Sequence, residues 1–268
     1  MKHDDTAGLQ GYFDHYNGLI SGVCHYPNNT VVVVRKSAKG NLARGDRSKI
    51  AKFTKRTRHR MIFVSRETKV KFGSMITLTY PLEFPVDGRK VKRHLDTMLK
   101  RLKRRYEQDY YWFLEFQNRG APHIHILYGR SLVTNADRVW LSNSWVDIIG
   151  LDSKRPFCYL KSRAQHDLRQ QCLEFHQRVD QWDPIRERHG AAAYVAKYAR
   201  KFEQKLVPKQ YLDVGRFWGC SRNVTASIPE PQEYDADESI ARGFIEAVGA
   251  PGHKWGLVPK FSYGLDKR

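Results

Sequence analysis

Hydrophobic positions recur with two periods along the chain, and each period predicts an element. Val91, Leu95, Met98, Leu99 and Leu102 return every three or four residues between lysines and arginines, which predicts an amphipathic helix from about Gly88 to Tyr106. Period two governs residues 72–81, where Met75, Thr77 and Thr79 alternate with Ile76, Leu78 and Tyr80 before Pro81. That stretch reads as a core strand with one hydroxyl-rich face. Two more strands, Tyr110 to Gln117 and His123 to Tyr128, flank Asn118-Arg-Gly-Ala-Pro122, a loop with the size and composition of a hairpin connection. The β-branched run Thr30 to Val34, after the turn Pro27-Asn-Asn29, and the segment Val214 to Gly219 add further strands.

Helices are also expected from Asp46 or Ser48 to about Met61, from Thr134 to about Ile149, and from Gly190 to Lys205. In the last of these alanine dominates and Pro208 limits the extent. Residues 150–189 carry no clean period and are taken as a mixed helical insertion. The segment from Pro229 to Ser239 is acidic, and the stretch after Ile240 turns Gly/Pro-rich. Because the two most regular strands form a hairpin, the pattern predicts an α+β fold with a central antiparallel sheet flanked by helices, not a doubly wound parallel sheet. Residues 1–70 are expected to form a basic β/α extension packed on the core, residues 71–228 the core with its insertion at about 150–189, and residues 229–268 a C-terminal tail.

Charge narrows the partner. Lys and Arg number 47 against 28 Asp and Glu among 268 residues, a net charge of +19 that calls for a polyanion, and nucleic acid is the first to consider. No long basic amphipathic helix with a broad apolar face is visible, and the run Val31 to Val34 is far too short to span a bilayer, so no membrane partner is expected. Cys24, Cys158, Cys172 and Cys220 show no paired spacing, which argues for a reducing compartment, and Met1-Lys-His-Asp-Asp-Thr6 lacks a signal peptide's apolar core. The expectation is a cytoplasmic protein. No phosphate-binding Gly-x-x-x-x-Gly-Lys-Ser/Thr sequence occurs, which excludes a fused P-loop motor from this chain.

Candidate chemistry gathers at two places. His123 and His125 lie two apart on a strand, so both imidazoles point to one face, a spacing suited to a metal ion. On the partner strand Glu115 and Gln117 share a parity and can face them: a carboxylate suits a hard divalent cation better, whereas Gln117 is nearer the turn. On the Ala-rich helix, Tyr194 and Tyr198 are four apart and share a face, with Lys197 and Lys201 beside them; a lysine one turn away could favour a nucleophilic phenolate. A zinc module from Cys158, His166, Cys172 and His176 is disfavoured by irregular spacing.

Taken together, Ile76-Thr-Leu-Thr79, Pro122-His-Ile-His-Ile126 and Tyr194-Val-Ala-Lys-Tyr198 resemble, in order and separation, the three motifs of the HUH endonucleases, the rolling-circle replication initiators of plasmids and single-stranded DNA phages and their relatives. Arg119-Gly-Ala-Pro-His-Ile-His125 and Gly215-Arg-Phe-Trp-Gly-Cys-Ser-Arg222 look most like the phage and plasmid Rep branch. The resemblance covers roughly Ile76 to Arg222. It implies an RRM-like palm with the histidines on a middle strand and the tyrosine helix beside them. It further implies metal-dependent, site-specific nicking and joining of single-stranded DNA at an origin or hairpin through a 5′-phosphotyrosine. Magnesium or manganese would be held by His123, His125 and Glu115 or Gln117; Tyr194 or Tyr198 would be the nucleophile, with Lys197 offsetting charge. A host helicase and polymerase would be the protein partners. A relaxase or single-strand transposase would share this chemistry, and a non-catalytic DNA-binding regulator would use the same surface without it.

Overall fold

The computed structural model describes residues 20–34, 53–80, 84–132, 134–149, 195, 207–211, 215–237 and 239–243. The chain divides into two compact units, one of residues 1–47 with 228–268, the other of residues 48–227. All strand pairings among the described residues are antiparallel, and helices accompany the sheets, so the fold is α+β.

In the first unit, β1 (Ile20–His25) lies between β2 (Thr30–Val34) and β7 (Gln232–Tyr234) in a three-stranded sheet. β1 has no hydrophobic period to announce it, yet Val23 and Cys24 are almost wholly buried. Its bulge at Ile20/Gly22 sits where a Cβ on Gly22 would come within 2.8 Å of Tyr234 O, so the glycine permits the approach of β7. β7 falls inside the acidic segment that the sequence assigned to a tail.

The second unit is built on a four-stranded sheet in the order β3 (Ser74–Thr79), β5 (Pro122–Tyr128), β4 (Tyr110–Phe116), β6 (Trp218–Cys220). Period two splits its side chains between the faces. Ile76, Leu78, Leu114, Ile124 and Ile126 face one way and form the core with Val91, Leu95, Met98 and Leu102 of α2 (Gly88–Tyr106) and Leu141 and Trp145 of α3 (Asn135–Ile148). α2 begins where the Asp87 carboxylate accepts from Arg89 N at 2.8 Å and ends at Glu107 in a left-handed conformation, φ 51°. α3 is capped by Thr134, whose hydroxyl accepts from Asp137 N at 3.1 Å.

The opposite sheet face carries Thr77, Thr79, Phe113, Glu115, His123 and His125. α1 (Lys55–Glu67) meets this side, because the Tyr111 hydroxyl, on the same parity as Glu115, donates to Met61 O at 2.8 Å. α1 differs from the expected basic helix at both ends. Thr54, not Asp46 or Ser48, caps it by accepting from Thr57 N at 3.1 Å, and it continues past Met61 because Met61 and Val64 bury one face. It also lies in the unit of the four-stranded sheet, not in an N-terminal extension. β6 is shorter than the segment expected from Val214; Gly219 lets it close on Trp112, whose Nε1 would be 2.9 Å from an added Cβ.

Candidate functional site

The hairpin between β4 and β5 sets the site. Gly120, at φ 79°, turns the chain, with Gly120 N donating to Gln117 O at 2.7 Å and Gln117 N to Ala121 O at 2.9 Å. That turn fixes the register: Glu115 stands opposite His123, Phe113 opposite His125, while Gln117 falls just beyond the paired strands. On the other side of β5, Thr79 stands opposite His123 and Thr77 opposite His125. The two imidazoles are therefore on a central strand, bracketed by hydroxyls on one side and by Phe113 and Glu115 on the other.

Depth separates the two histidines. His125 is buried, stacked on Phe113 with ring centroids 4.8 Å apart, and its Nδ1 lies 3.2 Å from Thr77 Oγ1. Its Nε2 is 3.6 Å from Glu115 Oε2, both side chains only 3% exposed. His123 is partly exposed, its ring 4.5 Å from that of His125, with Nδ1 3.0 Å from Thr79 Oγ1 and 3.3 Å from the amide nitrogen of Gln117. Arg119 dictates the second contact. Its Nε donates to Gln117 Oε1 at 2.9 Å and Nη2 to Tyr80 O at 2.6 Å, so the amide must turn its nitrogen toward the imidazole.

The donor chemistry fits a divalent cation. A separation of 3.6 Å between His125 Nε2 and Glu115 Oε2 is within the span of two donors on one ion, each about 2.1 Å from it, and threonine hydroxyls at the far ring nitrogens hold both imidazoles in place. Among the described residues, however, no group of three His, Cys, Asp or Glu side chains is drawn together closely enough to enclose an ion. A neutral imidazole has one lone pair. With the Gln117 N–H aimed at Nδ1 of His123, that lone pair sits at Nδ1; moving the ring proton there, with Thr79 as acceptor, transfers it to Nε2.

Of the residues singled out in the sequence, His123, His125, Glu115 and Gln117 are thus brought together. Tyr194, Tyr198, Lys197 and Lys201 lie outside the described residues, as do the insertion at 150–189 and the cysteine and histidine set within it; Val195, between the tyrosines, is helical and fully buried. Sequence reasoning missed Thr77, Thr79 and Arg119 as site residues. The threonines had a readable signal, a spacing of two that matches that of the histidines.

The model of a replication-associated protein family, the ORF2 type, matches residues 73–203. That span includes the strands of the hairpin, β3 and the segment with both tyrosines, and the match supports a Rep-type replication protein with a role in replication initiation. Comparison with curated proteins and with solved structures finds no match. Among the described residues no helix is long and apolar enough to cross a membrane.

Proposed function

We propose that this protein nicks and rejoins single-stranded DNA at a specific site to start rolling-circle replication of a plasmid or phage, through a covalent link to tyrosine. The observation that carries the reading is the buried His125–Glu115 pair beside His123, on a sheet face matched by a replication-protein family. Tyr194 or Tyr198 would attack the scissile phosphorus. The phenol gives up its proton, its oxygen bonds to phosphorus, the bond to the 3′ oxygen breaks, and that oxygen leaves as a 3′ hydroxyl after taking up a proton. Reversal, with a 3′ hydroxyl attacking the phosphotyrosine, joins strands. Lys197 would favour the phenolate.

His123, His125 and Glu115 would hold a magnesium or manganese ion, which when bound polarises the phosphate and stabilises the leaving oxygen. Glu115 is preferred to Gln117 as third ligand because its carboxylate approaches His125 Nε2, whereas Arg119 holds the oxygen of Gln117. Gln117 and Thr79 would select the proton position on His123. Magnesium and manganese accept the imidazole and carboxylate donors offered here.

Incubating the full chain with labelled origin single strand and manganese should give an adduct that survives denaturation. Its persistence in the Tyr194→Phe/Tyr198→Phe double variant would overturn the mechanism, and the single variants distinguish one reactive tyrosine from two. Manganese binding should fail in Glu115→Gln and survive in Gln117→Met; the reverse result would make Gln117 the ligand.

A further inference from the structure

The outward face of α2 lies on the other side of the sheet from the histidines, because Val91, Leu95, Met98 and Leu102 pack against Ile76, Leu78, Leu114, Ile124 and Ile126, the residues that alternate with the site residues along each strand. From Gly88 to Tyr106 the helix holds nine Lys and Arg residues against the single acid Asp96. Three of the nine are engaged within the fold. Lys92 donates to Arg216 O and covers Trp112, Arg101 pairs with Asp147, and Arg105 lies over the rings of Tyr106 and Trp140. The other six, Arg89, Lys90, Arg93, Lys100, Lys103 and Arg104, are exposed.

Arg89, Arg93, Lys100 and Arg104 follow spacings of four, seven and four, which places them in one stripe along a helix of 19 residues, about 28 Å long at 1.5 Å per residue. A merely solvated helix gains from acids mixed among its bases, and like charges one turn apart oppose helix formation. Asp87 and Asp96 answer this stripe through ion pairs of 3.7 Å to Arg93 and 2.7 Å to Lys100, which are well exposed and readily exchanged for phosphate.

We infer that this face of α2 is a second nucleic-acid surface, remote from the histidine site, that docks the phosphate backbone of duplex DNA without reading its sequence. Duplex is favoured over single strand because the stripe displays no aromatic ring on which a base could stack. An anionic membrane is disfavoured because the same stripe displays no apolar side chain to insert. A helix this long spans about eight base pairs of backbone. With the histidine face on single-stranded DNA, the far side would hold the flanking duplex; this assignment of partner rests on the nicking reading proposed above.

The test is the salt dependence of binding to a 20-base-pair duplex of arbitrary sequence, for the full chain and for Arg89→Gln/Arg93→Gln/Lys100→Gln/Arg104→Gln, with circular dichroism confirming the fold. Each phosphate contact contributes about 0.9 to the slope of log K against log salt, so the slope should fall by up to about 3.6 in the variant, while nicking of a short single-stranded oligonucleotide stays unchanged. An unchanged slope in a folded variant overturns the inference. So does binding to anionic vesicles but not to duplex. Loss of slope in a chain that never nicks would uphold the surface and refute the nicking reading, so the two failures are distinguishable.

Discussion

Threonine hydroxyls stand at the inner nitrogens of both histidines, at 3.2 Å for Thr77 and 3.0 Å for Thr79, and an imidazole held in this way presents its outer nitrogen at a fixed angle. If the site takes a divalent ion, Thr77→Val and Thr79→Val should each weaken manganese binding by about 10- to 100-fold while leaving thermal unfolding of the metal-free protein nearly unchanged, which calorimetric titration and melting curves would check. Lys92 offers a second residue-scale measurement. Burial, and then repulsion from Arg216, push its pKa down from 10.5 to about 7, against the opposing pull of the Trp112 ring, 4.0 Å away. Between about pH 7 and the unfolded value the unfolded chain binds the extra proton, so stability attributable to this group rises with pH across that window. Urea midpoints at pH 7 and pH 9.5 should therefore converge in Lys92→Met relative to the parent.

At the scale of elements, legibility followed period. α2 runs over the residues its spacing predicts, and β3, β4, β5 and α3 agree with their patterns to within a few terminal residues, because each sorts apolar from polar side chains across one interface. β1 and β7 were invisible: Ile20-Ser-Gly-Val-Cys-His25 mixes small and polar residues, and Gln232-Glu-Tyr234 is exposed, so pairing alone defines them. α1 was misplaced because its basic residues extend upstream of the cap, and charge, unlike a capping hydroxyl, has no defined starting point. The histidine pair and Glu115 could be read from parity once a hairpin was assumed, but choosing between Glu115 and Gln117 needed the register set by the Gly120 turn and the grip of Arg119 on the amide. α1 is held to the sheet partly by the buried Tyr111 hydroxyl on Met61 O; Tyr111→Phe should cost about 1 kcal/mol in chemical denaturation, with the helix's amide protons exchanging faster than those of α2.

For the whole molecule, a bound ion should act as a stabiliser. Manganese at 100 times its dissociation constant should add about 2.7 kcal/mol to unfolding, seen as a rise in Tm that His125→Ala abolishes. The sheet of the first unit carries a different consequence. β1 has β2 on one side and β7, some two hundred residues later in the chain, on the other. A two-stranded ribbon is marginal in water, so during synthesis β1 and β2 must wait for almost the entire chain before their sheet closes, while the four-stranded sheet can assemble as soon as β6 emerges. Completion of the first unit thus serves as a chronometer of translation. A chain cut after Ser227 should keep slow hydrogen exchange in β3, β4 and β5 and lose it in β1.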